Sequence, residues 1–136
     1  MRGVCISNTF YIKENKEKQM KFDTLNIIDR IKKALTLSGY SEPTEIQKKA
    51  IPVLLEGRDL LGSAQTGTGK TAAFAIPILQ HINATKEHKK PRKVEALVLT
   101  PTRELALQIF DNFKTYARYL NTISTTIYGG VSQKRQ

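Results

Sequence analysis

The sequence carries a single cysteine, Cys5, in 136 residues. No intrachain disulfide can form, which suits a reducing compartment. Cys5 has no histidine neighbour, so nothing there supports a nucleophilic thiol. Histidine is scarce too. His81 and His88 are the whole set, and without cysteines beside them they make no zinc site, which leaves them surface or loop roles. No apolar run approaches the roughly 18 residues that span a bilayer. The amino-terminal patch Val4-Cys5-Ile6 is broken by Ser7-Asn8-Thr9, far short of the about 7–15 apolar residues of a secretory signal core. No export or organelle signal is legible, and a cytoplasmic protein with no membrane partner is expected. Internal repeats and long low-complexity segments are also absent.

Acids are the remaining shortage, 12 against 22 Lys plus Arg, for a net charge of +10. A polyanionic partner suits that excess, with binding that weakens as salt rises. The excess is clustered. Residues 1–21 carry five bases and two acids, and 86–93, Lys-Glu-His-Lys-Lys-Pro-Arg-Lys, carry five bases and one acid. Each cluster is a solvated tail or loop, or a nucleic-acid contact. Lys134 and Arg135 are expected to be solvated. A hydrophobic share of 40% with this length describes one globular domain, and its ordered part, and the native start, are expected near Met20.

The spacing predicts an amphipathic helix over 24–38, with Ile27, Ile31, Ala34, Leu35 and Ser38 on one face and Gly39 ending it. Thr44 opens a second helix, interrupted at Pro52 and stopped at Gly57. Leu60-Leu61-Gly62-Ser63 reads as a short strand. The run 70–82 is apolar almost all round, so a buried helix is expected, kinked at Pro77. After a basic loop at 83–93, Val94 to Leu99 reads as a strand. Residues 102–120 read as a helix with Leu105, Ile109, Tyr116 and Leu120 on one face, and Ile123 to Tyr128 as a third strand. This alternation predicts an α/β fold, a parallel sheet flanked by helices.

The strongest chemical signal is Ala64-Gln65-Thr66-Gly67-Thr68-Gly69-Lys70-Thr71. It matches G-x-x-x-x-G-K-[ST] with Ala64 in the first glycine position. Glycines let the backbone curl so that its N–H groups point at phosphate oxygens. Lys70 supplies a point charge for the outer phosphates, and the Thr71 hydroxyl can ligate Mg²⁺. The helix that starts there aims its positive end at the same anion. A preceding strand and a following helix are the context that such a loop requires.

Thr44-Glu45-Ile46-Gln47 fits a capping box, with Gln47 reaching back to the Thr44 N–H. A wider frame gives a second reading. Phe22 stands 17 residues before Gly39-Tyr40, which leads into Pro43-Thr44 and Gln47. This arrangement resembles the Q motif of DEAD-box ATP-dependent RNA helicases, an upstream aromatic followed by G-[FY]-x-x-P-T-x-I-Q. The resemblance implies that Gln47 bonds the adenine edge and Phe22 stacks on the ring, with Tyr40 and Thr44 part of the same segment. An amide suits adenine because it donates and accepts at once. Capping and recognition are compatible.

Pro101-Thr102-Arg103-Glu104-Leu105-Ala106 resembles motif Ia of the same helicases. By itself Thr102 is a sound N-cap, and Glu104 in the first turn suits the helix dipole. The resemblance implies that Pro101, Thr102 and Arg103 lie near an RNA backbone. Gly129-Gly130 matches the family's glycine doublet, where bare backbone approaches a phosphate. Alone, such a pair marks a turn. The four motifs in order cover residues 20–136 and come nearest the bacterial RhlE-like branch. They imply a RecA-like P-loop NTPase domain using ATP and Mg²⁺ on RNA.

Three segments follow: a basic tail at 1–19, a Q-motif segment at 20–48, and at 49–136 the first part of the ATP-binding domain. The family's Asp-Glu-Ala-Asp and Ser-Ala-Thr motifs and its second RecA-like domain with arginine fingers are not in this sequence. Phosphoryl transfer needs an acid for the Mg²⁺ shell, a group that orients water and a cation over the transition state. No two of the 12 acids are adjacent, and none falls at the carboxyl end of a predicted strand. The chain is therefore expected to be a helicase fragment that binds ATP without useful hydrolysis. The alternatives are an ATP- or RNA-binding module without turnover and a non-functional truncated remnant. In the family, the strands with the missing motifs lie between the P-loop strand and the Pro101 strand. Exposed apolar edges and marginal stability or aggregation are expected.

Overall fold

The computed structural model describes residues 21–85 and 93–130. The basic tail and the basic stretch at 86–92 lie outside the described residues, as do Lys134 and Arg135. A 3-10 turn at Phe22–Thr24 is followed by four helices: α1 Asp29–Leu37, α2 Glu45–Leu55, α3 Lys70–Thr85 and α4 Arg103–Tyr116. Helix α3 packs against α2 on one side and α4 on the other, and α1 also meets α4. The core lies between these helices and is built from Ile31, Leu35, Ile51, Ile76, Leu79, Phe113 and Tyr116, with Phe22, Leu25 and Ile27 sealing one side.

Helix α1 starts at Asp29, not at 24. Leu25 and Ile27 are buried, but in a non-helical stretch that α3 braces. The Gln80 side chain accepts from the Ile28 N–H at 3.0 Å and donates to the Asn26 carbonyl at 2.7 Å. A residue 52 positions downstream thus supplies a partner that local periodicity cannot reveal. Gly39 ends α1 at φ +82° and Gly57 follows α2 at φ +74°, the left-handed conformation that glycine adopts without strain.

Helix α2 runs through Pro52 without interruption. Proline removes one helical donor, but Ala50 and Ile51 beside it are buried in the packing against α3. Helix α3 is as buried as its composition requires, with Ala72, Ala73, Ala75, Ile76, Pro77 and Leu79 enclosed, and it extends to Thr85. Among the described residues no helix is long and apolar enough to cross a membrane.

The three predicted strands are the main departure. Leu60–Ser63, Val94–Leu99 and Ile123–Tyr128 are non-helical, but no described residue belongs to a strand. A strand is a property of a pair, since its N–H and C=O groups point sideways to a neighbour. Apolar composition marks the segment without supplying that neighbour. The consequence is exposure: Leu61 is 82% exposed, Val94 89%, Leu99 83% and Ile127 82%.

Candidate nucleotide and nucleic-acid sites

Residues 64–69 form the turn that leads into α3, and Lys70 and Thr71 are the helix's first two residues. Gly67 has φ +82° and Gly69 φ +89°, so both glycines of the octapeptide occupy the conformation that the motif demands. Helix α3 leaves its first-turn N–H groups without carbonyl partners and directs its positive end into this turn. The Lys70 ammonium lies back over the loop, donating to the Ala64 carbonyl and, at 2.6 Å, to the Gln65 carbonyl. Thr68 Oγ1 donates to the same Gln65 carbonyl at 2.8 Å. The loop thus folds around its own cation.

Gln47 joins this loop to the Q-motif segment. It is fully buried, at 0% exposure. Its Oε1 accepts from the Thr44 N–H at 3.0 Å, which is the expected capping contact. Its Nε2 donates to the Gly69 carbonyl at 3.1 Å. The side chain retains a second N–H and a second acceptor lone pair. Thr44 Oγ1 is close as well, since a Cβ on residue 69 would lie 3.2 Å from it and 2.3 Å from Gln47 Nε2. Glu45, next to Thr44, is held below the usual carboxylate range by its hydrogen bond from Lys48.

Phe22 and Tyr40 are placed differently. Phe22 is 5% exposed and belongs to the core, so neither ring face is bare for stacking. Tyr40 packs against that core and its hydroxyl lies 2.8 Å from the Tyr116 hydroxyl, the rings meeting edge to face. Tyr116 donates to Asn112 Oδ1 at 3.1 Å, and Asn112 Nδ2 donates to the Gln108 carbonyl at 2.8 Å. With its proton committed to Asn112, Tyr116 accepts from Tyr40. Burial pushes the Tyr116 phenol well above its ordinary value, and the bond with Tyr40 adds to the shift.

A second candidate site lies at the start of α4. Thr102 is the N-cap as expected, its Oγ1 accepting from the Leu105 N–H at 3.2 Å, and its carbonyl accepts from Thr100 Oγ1 at 3.0 Å. A pocket of about 270 Å³ opens beside it, lined by Thr100–Arg103 with Ala106 on one side and by Ile127, Tyr128 and Gly129 on the other. The motif at 101–106 and the first glycine of the doublet therefore share one concavity. Gly130 follows at φ +82°. Arg103 lies over the Tyr128 ring, with its guanidinium carbon 4.4 Å from the centroid. Gln80, Asn112 and Tyr128 carry no motif signature, and the sequence alone gives no sign of their contacts.

The family model for the DEAD/DEAH box helicase matches residues 44–136. The DEAD-box ATP-dependent RNA helicase RhpA of Helicobacter pylori (strain B128) is 44% identical over 115 residues, covering 85% of this chain and 22% of that protein. The ATP-dependent RNA helicase SrmB of Haemophilus influenzae is 46% identical over 112 residues, covering 82% and 25%. Among solved structures, the RNA helicase Prp28 from Chaetomium thermophilum bound to ADP superposes with a TM-score of 0.77 at 40% identity, covering 85% of this chain and 28% of that one. A DEAD box protein from the hyperthermophile Methanococcus jannaschii gives 0.75 at 37% identity, covering 85% and 31%. The share of this chain superposed is far larger than its helices hold, so the likeness extends into the extended segments. The chain spans about a quarter of the length of the curated relatives it matches.

Proposed function

The chain belongs to the DEAD/DEAH box helicase family, and on that premise we propose that it is the nucleotide-binding part of an ATP-dependent RNA helicase. In this reading residues 64–71 wrap the phosphates of ATP and the start of α4 meets RNA backbone. The observation that carries the nucleotide half is the bond from Gln47 to the Gly69 carbonyl. It joins two motifs 22 residues apart, as one binding site requires.

The loop's chemistry fits the nucleotide and its metal. Two positive-φ glycines, a helix amino terminus and one ammonium converge on the same turn. On binding, Lys70 exchanges the Ala64 and Gln65 carbonyls for phosphate oxygens, which carry more charge. The Thr71 hydroxyl would hold Mg²⁺, which when bound neutralises charge on the outer phosphates. Gln47, enclosed at 0% exposure, would have to be uncovered to offer its remaining donor and acceptor to adenine. Phe22 would have to turn out of the core to stack on the ring. Beside the Pro101–Arg103 turn, the Gly129 and Gly130 backbone would approach RNA phosphates.

Binding and turnover are separable: a glycine-rich loop and a helix amino terminus suffice to bind phosphate, whereas phosphoryl transfer also needs an acid for the metal shell. The test is an equilibrium titration with ATP and Mg²⁺ beside a steady-state ATPase assay with RNA. Saturable ATP binding that Lys70→Ala abolishes, without RNA-stimulated turnover, is expected. Turnover intrinsic to the purified chain would refute the separation, and no ATP binding would refute the nucleotide site.

A further inference from the structure

We propose that Tyr128 is a positioning residue that holds Arg103 in place for an RNA phosphate. The proposal rests on the RNA-backbone reading of the 101–106 motif and names a residue outside that motif.

The argument starts from the shape of the arginine head. A guanidinium is planar, and its five N–H donors lie in that plane. Stacking engages the face and leaves the in-plane donors open. Arg103 is the first residue of α4, and its guanidinium carbon lies over the Tyr128 ring, 4.4 Å from the centroid, close enough for such a contact. Both side chains line the pocket at the start of α4, with Thr100, Thr102 and Gly129. Arg103 is exposed and Tyr128 half-buried, so the ring is the fixed partner and the arginine the mobile one. An exposed arginine without a platform would have to give up its rotamer freedom on binding. Here Tyr128 confines the head before any anion arrives.

The neighbouring donors converge on the same place. The first-turn N–H groups of a helix have no carbonyl partners, and α4 opens at this pocket. Thr102 Oγ1 accepts from Leu105, which leaves its hydroxyl proton to donate outward. Arg103 supplies the charge that these neutral donors lack, and Tyr128 sets where that charge stands. Glu104, in the first turn and exposed, disfavours an anion that drifts off the pocket, which makes the placement of Arg103 matter more.

The experiment titrates the full chain against a fluorescein-labelled single-stranded oligouridylate by anisotropy, over a salt series. Five proteins are compared: unaltered, Arg103→Ala, Tyr128→Leu, the double variant and, as the conservative control, Tyr128→Phe. Arg103→Ala should weaken binding and lower the salt slope by about one. Tyr128→Leu should weaken it about twofold to fivefold, the worth of an exposed cation–π contact. It should have no further effect once Arg103 is absent. Tyr128→Phe keeps the ring face and should bind as the unaltered chain does.

A Tyr128→Leu effect undiminished in the Arg103→Ala background would overturn the positioning role and leave the RNA site standing. So would a null effect of Tyr128→Leu beside a clear loss in Arg103→Ala. No loss in Arg103→Ala overturns the RNA reading and the proposal with it. A readout needing no variant guards against misfolding. The Arg103 side-chain protons should resonate upfield of free arginine through the Tyr128 ring current. Unshifted resonances would also overturn the proposal.

Discussion

Gln47 donates to the Gly69 carbonyl at 3.1 Å, so the residue expected to read adenine also ties down the last glycine of the phosphate loop. The same amide caps α2 through the Thr44 N–H. Helix capping and loop geometry therefore meet in one fully buried side chain, the one proposed to read the base.

Replacing Gln47 tests all three together. Gln47→Ala removes two hydrogen bonds and opens a cavity where the side chain was fully enclosed, at a loss of about 2–4 kcal/mol. If the amide reads adenine, the unaltered chain should bind ATP at least about tenfold more tightly than GTP, a difference of about 1.4 kcal/mol. The variant should bind both alike. Nucleotide titrations at a temperature where the variant is still folded check this. A preference for ATP that survives the substitution would remove Gln47 from the adenine site.

Gly69 and Gly67 separate steric from conformational demand. Both have positive φ, so alanine costs about 1–2 kcal/mol at either from backbone strain alone. At 67 a Cβ meets nothing within 4 Å, whereas at 69 it lies 2.3 Å from Gln47 Nε2. Gly69→Ala must therefore displace a buried amide and break its bonds, adding about 2 kcal/mol. Urea denaturation should rank Gly69→Ala well below Gly67→Ala, and only the former should also lower hydrogen-exchange protection at α2's capped end.

The Tyr40–Tyr116–Asn112 relay predicts a base-sensitive fold. The Tyr116 phenol is raised when folded, so between its unfolded and folded values the unfolded chain binds fewer protons than the native one. Stability then falls as pH rises. The contribution is complete below about pH 10, the ordinary tyrosine value, and is lost above it. Tyr116→Phe should be about 1 kcal/mol less stable at neutral pH, since Tyr40 and Asn112 lose their shared partner. Above about pH 10 the gap should narrow. Chemical denaturation from neutral to strongly basic pH measures it, and a gap that stays constant would show that Tyr116 does not titrate across unfolding.

The helices were legible because each carries its own evidence. Ile31 and Leu35 share a face, Gly39 and Gly57 mark ends, and Thr44 and Thr102 mark beginnings. The octapeptide was legible because phosphate binding permits few residue types. What stayed hidden depends on distant partners. The start of α1 is set by Gln80 from α3, the continuity of α2 past Pro52 by its packing on α3, and the seat of Arg103 by Tyr128, 25 residues away. Phe22 shows the limit of motif reasoning, since the spacing that marked it for adenine does not state that its ring is in the core. The three strands are not confirmed, since no described residue is in a ladder and most of their large apolar side chains are exposed. The segment 94–99 has the composition of a buried strand, but of its apolar side chains Val98 packs against the described core while Val94, Leu97 and Leu99 stay exposed.

That exposure leads to a prediction about the chain in solution. Leu61 and Leu99 are more than four-fifths exposed, in extended segments with no ladder among the described residues. Extended apolar backbone is a template for pairing with another chain. The purified protein should therefore elute as a concentration-dependent mixture of assemblies and unfold over a broad range. Leu61→Lys and Leu99→Lys place charges where no packing is lost, so each should change stability by no more than about 0.5 kcal/mol. The double variant should shift the population towards monomer in light scattering while its melting midpoint holds. If exposed edges are not the cause, the lysines will leave the assemblies unchanged, and salt above the reach of charge repulsion should then make no difference either. A monodisperse monomer with a sharp two-state melt in the unaltered chain would mean that these segments find cover within the molecule.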